Sequence, residues 1–181
     1  MARYRRRRFY KKRTSYSPNI TRIGPNSFNI PAQSRDIGIV TLIENQVYDP
    51  NRSNNIITVK NPELSIEFNA NNSLIESCTA YILFIPEGYN VTLDTPYQHP
   101  EWIMAYKFFG SPDLDRNTTD NTSTFTYNEY AKPIQRIKTR LSRKLNTGDR
   151  IVLLVEGTNL SQNNAYTMQY QGLLRWFTKA N

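Results

Sequence analysis

Short runs of β-branched and aromatic residues recur along the chain, and each run ends at a cluster of Asn, Pro, Gly or Asp. Alternate residues from Ile37 to Ile43 are expected on one face of a strand, with Val40 and Leu42 on the other. About eight such strands, with no long amphipathic helix, predict an all-β fold, an antiparallel β-sandwich or barrel. Two stretches, 100–109 and 134–145, are also compatible with a short helix. The remaining strand-like runs are residues 56–59, 64–68, 74–85, 102–109, 134–141, 151–155 and 166–177.

Two of these runs are apolar at successive positions rather than at alternate ones. Residues 81–85 read Tyr-Ile-Leu-Phe-Ile, and residues 151–155 read Ile-Val-Leu-Leu-Val. A strand with one solvated face alternates, so both faces of these two strands are predicted to be covered. The second face is covered either by a long loop of the same chain or by another copy of it, and the sequence leaves both alternatives open.

Composition divides the chain into three parts. Residues 1–13 are rich in Arg, Lys and Tyr, and residues 14–33 are rich in Pro, Asn and Ser, with breakers at Pro18, Gly24-Pro25 and Pro31. The second segment is predicted to be a linker. The sandwich is expected to occupy residues 34–181, starting near Gln33 to Arg35.

The net charge of +8 is located in the first segment. That segment holds 8 basic residues and no acidic one, and removing them from the 23 basic residues of the chain leaves 15 against 15 acidic residues. The remainder of the chain is formally neutral. Because like charges repel and little apolar surface is available there, the arm is predicted to be disordered in isolation.

The arm has the composition of a binder of single-stranded nucleic acid. Arginine pairs with phosphate oxygens, and tyrosine and phenylalanine rings offer faces on which bases stack. Recognition by a nuclear import receptor would use the same residues. The arm has no hydrophobic stripe and no lipidation motif, so we expect no membrane partner. The predicted nucleic-acid contacts are Arg3, Arg5, Arg6, Arg7, Arg8, Lys11, Lys12 and Arg13.

A second cationic cluster lies between residues 132 and 150. If residues 136–141 form a strand, then Arg136, Lys138 and Arg140 share one face and the intervening residues Ile137, Thr139 and Leu141 are buried. We predict that these three cations form a second phosphate-contacting surface. The alternative is a solvated strand face whose cations pair with acidic residues of the body.

The sequence contains no recognisable catalytic or metal-binding pattern. There is no nucleophile elbow, no metalloprotease motif and no glycine-rich phosphate loop. The chain has one cysteine, Cys78, and one histidine, His99, so it cannot form a disulfide within itself or a zinc site of four Cys and His ligands. We expect a protein that is not an enzyme, with no cofactor and no metal.

An Arg/Tyr-rich arm, a Pro/Asn linker and a single β-sandwich together resemble the capsid proteins of circovirus-like small circular single-stranded DNA viruses. Four segments are similar to parts of such proteins: CTAYILFIPEG (78–88), HPEW (99–102), RLSRKLNTGD (140–149) and GLLRWFTKAN (172–181). The resemblance covers the arm and most of the body, and its motifs are structural and not catalytic.

This resemblance implies a single jelly roll that assembles into a small icosahedral shell, with the arm packaging single-stranded DNA. It also implies a homo-oligomer located in the virion, and in the host nucleus during assembly. The alternative is a cellular nucleic-acid-binding protein with a small β-barrel, of ribosomal or chromatin type. DNA is favoured over RNA only through the resemblance.

Overall fold

The computed structural model of the protein describes residues 16–46, 56–70, 75–109 and 134–179. Within them the chain forms antiparallel strands, so the prediction of an all-β fold with antiparallel sheets is confirmed. The strands are β1 (Ser17–Ile30), β2 (Ser34–Glu44), β3 (Ile57–Ala70), β4 (Ile75–Ile85), β5 (Ile103–Phe108), β6 (Gln135–Lys138), β7 (Ser142–Leu145), β8 (Arg150–Asn159) and β9 (Tyr166–Lys179).

The strands form two sheets. The first has the order β1-β9-β3-β6, with β7 also paired to β3, and the second has the order β2-β8-β4-β5. Both β6 and β7 pair with β3 because β3 is long: residues 57–60 pair with β7 and residues 63–66 with β6. An irregularity between Lys60 and Glu63 separates the two pairings.

The main core lies between the sheets. Alternate residues of the central strands point into it, among them Leu64 of β3, Leu174 of β9 and Leu153 of β8, all of which are fully buried. Burial of one such side chain stabilises the fold by about 1.5–3 kcal/mol. The described residues include no helix that is long and apolar enough to cross a membrane.

The prediction that residues 14–33 form a linker is wrong for most of that segment. Residues 17–30 are strand β1, which pairs along its length with β9 from Ser17 opposite Thr178 to Ile30 opposite Tyr166. Ile23 and Ile30 are buried in the main core. Ile30 packs where Gly157 of the facing sheet has no side chain. The folded body therefore includes the segment before residue 34.

The prolines of β1 are tolerated because of where the strand lies. Among the described strands it pairs with β9 alone and so forms the edge of its sheet, where a residue without an N–H does not interrupt a second ladder. Pro25 follows Gly24, whose φ of +61° suits glycine, at a shift in register between Ile23 and Asn26. The Gly24-Pro25 pair that predicted a linker is therefore accommodated within the strand by this shift in register.

The two doubly apolar strands are β4 and β8, which are neighbours in the second sheet. Their inward residues belong to the main core, and their outward residues form a second buried cluster. The cover is residues 86–102, a segment between β4 and β5 that we name the strap. Of the two alternatives, a loop of the same chain is the correct one for these side chains. The second cluster comprises Tyr81, Leu83, Ile85, Val152 and Leu154, with Val91 and Trp102 of the strap against it.

Hydrogen bonds tie the strap to strands of both sheets at three points. Arg150 donates from Nη2 to the carbonyl oxygen of Tyr89 at 2.7 Å, and Arg143 donates from Nη2 to that of Glu101 at 2.7 Å. The Tyr97 hydroxyl donates to Oε2 of the buried Glu156 at 3.0 Å. Near these residues the strap contains one helical turn, α1 (Thr95–Gln98), and one 3-10 turn, Pro100–Trp102. The short helix expected within 100–109 is limited to that 3-10 turn.

The assignment of β1 to the core predicts unequal effects of one substitution at two positions of that strand. Ile30→Ala is expected to lower the free energy of unfolding by about 2–5 kcal/mol, because it opens a cavity between the sheets. Ile20→Ala, at a position that is 73% exposed, is expected to change it by less than about 0.5 kcal/mol. Urea unfolding of both variants gives the comparison, and equal small effects would show that this segment is a linker.

Candidate nucleic-acid interface

The outer face of the first sheet carries most of the cations that the described strands present to solvent. We name it the cationic face. Its acidic side chains within the described strands are Glu63 and Glu67, which are outnumbered by lysine and arginine. The basic residues are Arg22, Lys60, Arg136, Lys138, Lys144, Arg175 and Lys179.

Strand alternation puts these cations on one side. In β9, Leu174 is buried while Leu173 and Arg175 point outward, and Phe177 and Lys179 continue the outward series. Register then aligns residues of other strands with this series. Arg22 of β1 lies opposite Leu173, for example. The face is thus assembled from strands that are distant in the sequence.

The strongest local charge contact on this face involves Glu63. In register, Glu63 of β3 lies between Arg175 of β9 and Lys138 of β6. The Lys138 ammonium is 3.0 Å from Oε1 of Glu63. That hydrogen bond lowers the pKa of Glu63 below its usual value of 4.5, and the nearby charges of Lys138, Arg136 and Arg175 add to the effect. Glu63 is therefore a negative charge inside a group of three positive ones.

The prediction that Arg136, Lys138 and Arg140 share one face of a strand is only partly correct. Arg136 and Lys138 do lie on one face of β6 and are exposed, with Ile137 buried between them. The strand ends at Lys138, however, so Arg140 lies exposed in the connection to β7 and outside the ladder. Leu141, which the alternation predicted to be buried, is 49% exposed.

The strand ends where Thr139 faces Pro62 of β3, because proline has no N–H to donate to the ladder, and a turn follows. The Thr139 N–H donates to the carbonyl oxygen of Pro62 at 3.2 Å, and its hydroxyl accepts a hydrogen bond from the Leu141 N–H at 3.0 Å. This turn takes Arg140 and Leu141 out of the strand. The alternative of solvated cations paired with body acids describes Lys138 correctly, because Glu63 is its partner.

The opposite end of the cationic face is where the chain enters β1. Lys144 of β7 and Lys179 of β9 flank Thr58 of β3 on either side. Next to them Lys60 places its ammonium 4.4 Å from the centre of the Tyr16 ring. Tyr16 directly precedes β1, so the described chain enters the sheet beside these three lysines, and in the sequence the basic arm ends three residues earlier, at Arg13.

Apolar groups are interspersed among these cations. Ile20 and Leu173 are exposed on the same face, and the Arg175 guanidinium lies 5.7 Å from the centre of the Phe177 ring. A surface that combines cations with half-buried rings and exposed aliphatic groups can bind phosphates and unpaired bases together. The arm residues predicted to do the same lie outside the described residues: Arg3, Arg5, Arg6, Arg7, Arg8, Lys11, Lys12 and Arg13.

Several cations of this face were not predicted from the sequence. Arg175 could have been found, because it lies between Leu174 and Trp176 in a run already predicted to be a strand, and Lys179 continues the same alternation two residues beyond that run. Lys60 and Lys144 could not, because their place depends on the pairing of β7 with β3. Two other arginines of the predicted cluster, Arg143 and Arg150, have a structural role in holding the strap.

Cys78 and His99, the single cysteine and the single histidine of the chain, lie away from the cationic face. Burial raises the pKa of the Cys78 thiol, which is fully buried, so the thiolate needed for nucleophilic attack is disfavoured. His99 stacks on Trp102 with 3.8 Å between ring centres, and its Nδ1 is 3.1 Å from Oε1 of Glu101. In the described part of the chain, no group of three or more Cys, His, Asp or Glu side chains could hold a metal ion.

No protein-family model matches the chain, and a search of curated proteins finds no significant match.

The position of Glu63 predicts the effect of neutralising it. Glu63→Gln is expected to tighten binding of single-stranded oligonucleotide about 2–5-fold at neutral pH, because it removes a negative charge from the group formed with Arg136, Lys138 and Arg175. Glu44→Gln, which changes the net charge equally but lies on the second sheet, is the matched control. Fluorescence anisotropy at several salt concentrations measures both, and equal tightening in the two variants would show that only net charge matters.

Proposed function

We propose that this protein is a viral capsid protein that self-assembles into a small icosahedral shell and packages single-stranded DNA through its basic arm. Its role is structural and not catalytic. The observation that carries the proposal is the position of the cationic face, which adjoins Tyr16, the point where the arm joins the sheet. One polyanion can then contact the arm and the sheet of the same subunit.

The strand order supports a jelly roll. When β6 and β7 are counted as one position, the sheets contain the first, eighth, third and sixth positions and the second, seventh, fourth and fifth. Successive strands thus alternate between the sheets except where the strap joins β4 to β5. Two Greek keys folded over one another have this order, and jelly rolls of eight strands are the architecture of many viral shells.

The distribution of charge supports this proposal, because the outer faces of the two sheets differ in charge. Excess positive charge on the outer face of the first sheet repels a second copy in the same orientation and attracts phosphates. The Arg35 and Glu156 side chains on the second sheet form an ion pair at 3.1 Å and offset each other. A shell needs both properties, because subunits must approach one another while the nucleic acid is neutralised.

The same observations leave two further roles to be tested. The arm also suits a nuclear import receptor, which would bring the protein to the host nucleus before assembly in the virion. A cellular nucleic-acid-binding protein would use the arm and the cationic face in the same way without forming particles. Electron microscopy of the purified full chain separates these: uniform closed particles support the capsid, and monomers bound to RNA support the cellular protein.

Deletion of residues 1–13 tests the packaging role of the arm. The deleted chain is expected to fold and to form particles, since β1 starts at Ser17, but to retain little nucleic acid at moderate salt. The slope of log affinity against log salt is expected to fall by roughly 0.7 for each phosphate that the arm no longer neutralises. The absorbance ratio at 260 and 280 nm of purified particles measures their nucleic-acid content.

The control for this deletion keeps the arm and changes the sheet. Arg136→Gln, Lys138→Gln and Arg140→Gln together are expected to reduce the salt slope by a smaller amount and to leave the unfolding temperature nearly unchanged. If the deleted chain retained as much nucleic acid as the full chain, then the arm would not be the packaging element. A large loss of stability in the triple variant would show that these cations are structural.

A further inference from the structure

Strand register arranges the outward residues of the cationic face into four rows. Each row crosses β9 and β3 to β6 or β7, and three of the rows begin on β1. Neighbouring rows are two residues apart on β9, so at about 3.4 Å per residue the four rows span about 20 Å along the strands. The rows are Lys179, Thr58 and Lys144; Pro18, Phe177, Lys60 and Ser142; Ile20, Arg175, Glu63 and Lys138; and Arg22, Leu173, Ser65 and Arg136.

Apolar side chains occupy only one half of these rows. On β1 and β9, which form what we name the apolar half, Ile20 is 73% exposed and Leu173 is 52% exposed, and the Phe177 ring is half-buried. The outward positions of β3, β6 and β7 form what we name the polar half, and they hold four cations, one carboxylate and three hydroxyl groups. Because each half consists of neighbouring strands, the division between them runs parallel to the strands.

A single strand of nucleic acid is divided lengthwise in the same way. Its charged phosphates follow the backbone, and its unpaired bases project from the backbone with flat faces that stack on protein side chains. The polar half attracts phosphates, because its four cations exceed the single charge of Glu63, and it offers no apolar group to a base. The apolar half offers the Phe177 ring and, 5.7 Å from the ring centre, the Arg175 guanidinium, and both groups stack with bases.

The spacing of the two halves fits one nucleotide lying across them. Lys60 of the polar half is the direct neighbour of Phe177 in the second row, one strand spacing away, which is about 5 Å. The cations of β6 and β7 are two strand spacings from β9, which is about 10 Å. A nucleotide covers part of that distance between its phosphate and its base, and the long side chains of Lys138 and Arg136 span the rest.

We propose that one single strand of nucleic acid lies along the strands of the first sheet, with its phosphates on the polar half and its bases on the apolar half. This inference rests on the proposed binding of single-stranded DNA, and it assigns the base contacts to Phe177, Ile20 and Leu173. With one nucleotide per row the site holds about four nucleotides, the lower end of the range for OB-fold domains. A duplex does not make these contacts, because its bases are stacked on one another.

Strands with and without bases test this assignment. The full chain is titrated by fluorescence anisotropy with an oligothymidine and with an abasic strand of the same length, which carries the same number of phosphates. Phe177→Ala is expected to weaken binding of the oligothymidine by about 5-fold or more, because a stacked base is lost, and to leave binding of the abasic strand unchanged. Tyr106→Ala removes an exposed ring from the second sheet and is the matched control, expected to change neither affinity.

Variants of the polar half are expected to behave differently. Arg136→Gln with Lys138→Gln weakens binding of both strands by the same factor and lowers the slope of log affinity against log salt, because phosphate contacts alone are lost. Phe177→Ala leaves that slope unchanged. Ile20→Ser with Leu173→Ser alters two exposed side chains and repeats the base-dependent loss without removing a half-buried ring. Circular dichroism of every variant establishes that it is folded.

Photochemical cross-linking locates the bases directly. An oligothymidine that carries one 5-iodouracil is bound to the unaltered full chain and irradiated, and mass spectrometry identifies the residue attached to the base. A cross-link to Phe177 is expected, and it is lost in Phe177→Leu. Cross-links confined to residues 1–13 would show that the bases contact the arm and not the sheet, which overturns the inference.

The outcomes separate this inference from the proposed function. If Phe177→Ala and the Ile20, Leu173 variant weaken both strands equally or weaken neither, the sheet does not bind bases, even if the chain forms shells that contain DNA. If the loss is confined to the strand with bases but the chain forms no closed particles, the base contacts stand and the capsid proposal is wrong. A full chain that binds neither strand overturns both.

Discussion

Burial of β8 on both faces is the constraint on which the rest of the structure depends. Every residue from Ile151 to Gly157 is buried, with β2 and β4 on either side in the sheet. Leu153 faces the first sheet, so the two sheets have to pack together. Leu154 faces outward, so the strap must cross over it. The facing sheet covers one side of β8 and the strap covers the other, and together they remove a continuous apolar strand from water.

The strap also determines which part of the outer face of the second sheet stays open to solvent. It covers the half of the outer face that contains Leu83 and Val152, and its Tyr97 closes the coverage over Glu156. What remains open is a border of rings on β5 and aliphatic groups on β2. The first sheet has no such cover in the described residues, and its outer face is dominated by lysine and arginine. The molecule thus has two chemically different outer faces, one rich in cations and one largely apolar.

The parts of the fold that follow from local patterns were predictable from the sequence. The apolar runs of β4 and β8 indicated double burial, because no alternation was present. Strand β1 was not predicted, since its Asn and Pro content outweighed the alternation of Phe28 and Ile30, and only its edge position makes those residues acceptable. Turn-forming residues in a segment do not show whether that segment pairs with a neighbouring strand on one side or on both sides.

The candidate site was predictable only where one segment contains it. Arg136 and Lys138 lie two residues apart on a strand, so their common face follows from alternation alone. Arg140 was misplaced because β6 ends beside Pro62, a residue distant in the sequence that has no N–H to return the hydrogen bond it accepts from Thr139. The contributions of Lys60 and Lys144 depend on the pairing of β3 with β7 and β9. Pairing of that kind is decided by the whole core and leaves no local signal.

The pairing of β9 with both β1 and β3 has a consequence for synthesis of the chain. Among the described strands, β9 is the one to which β1 is hydrogen-bonded, so this ladder cannot form until β9 has left the ribosome. Until β9 has emerged, the segment that follows the basic arm has no strand of its own sheet to pair with. Contacts between residues so far apart in sequence also form slowly. The basic arm therefore leaves the ribosome well before the first sheet is closed.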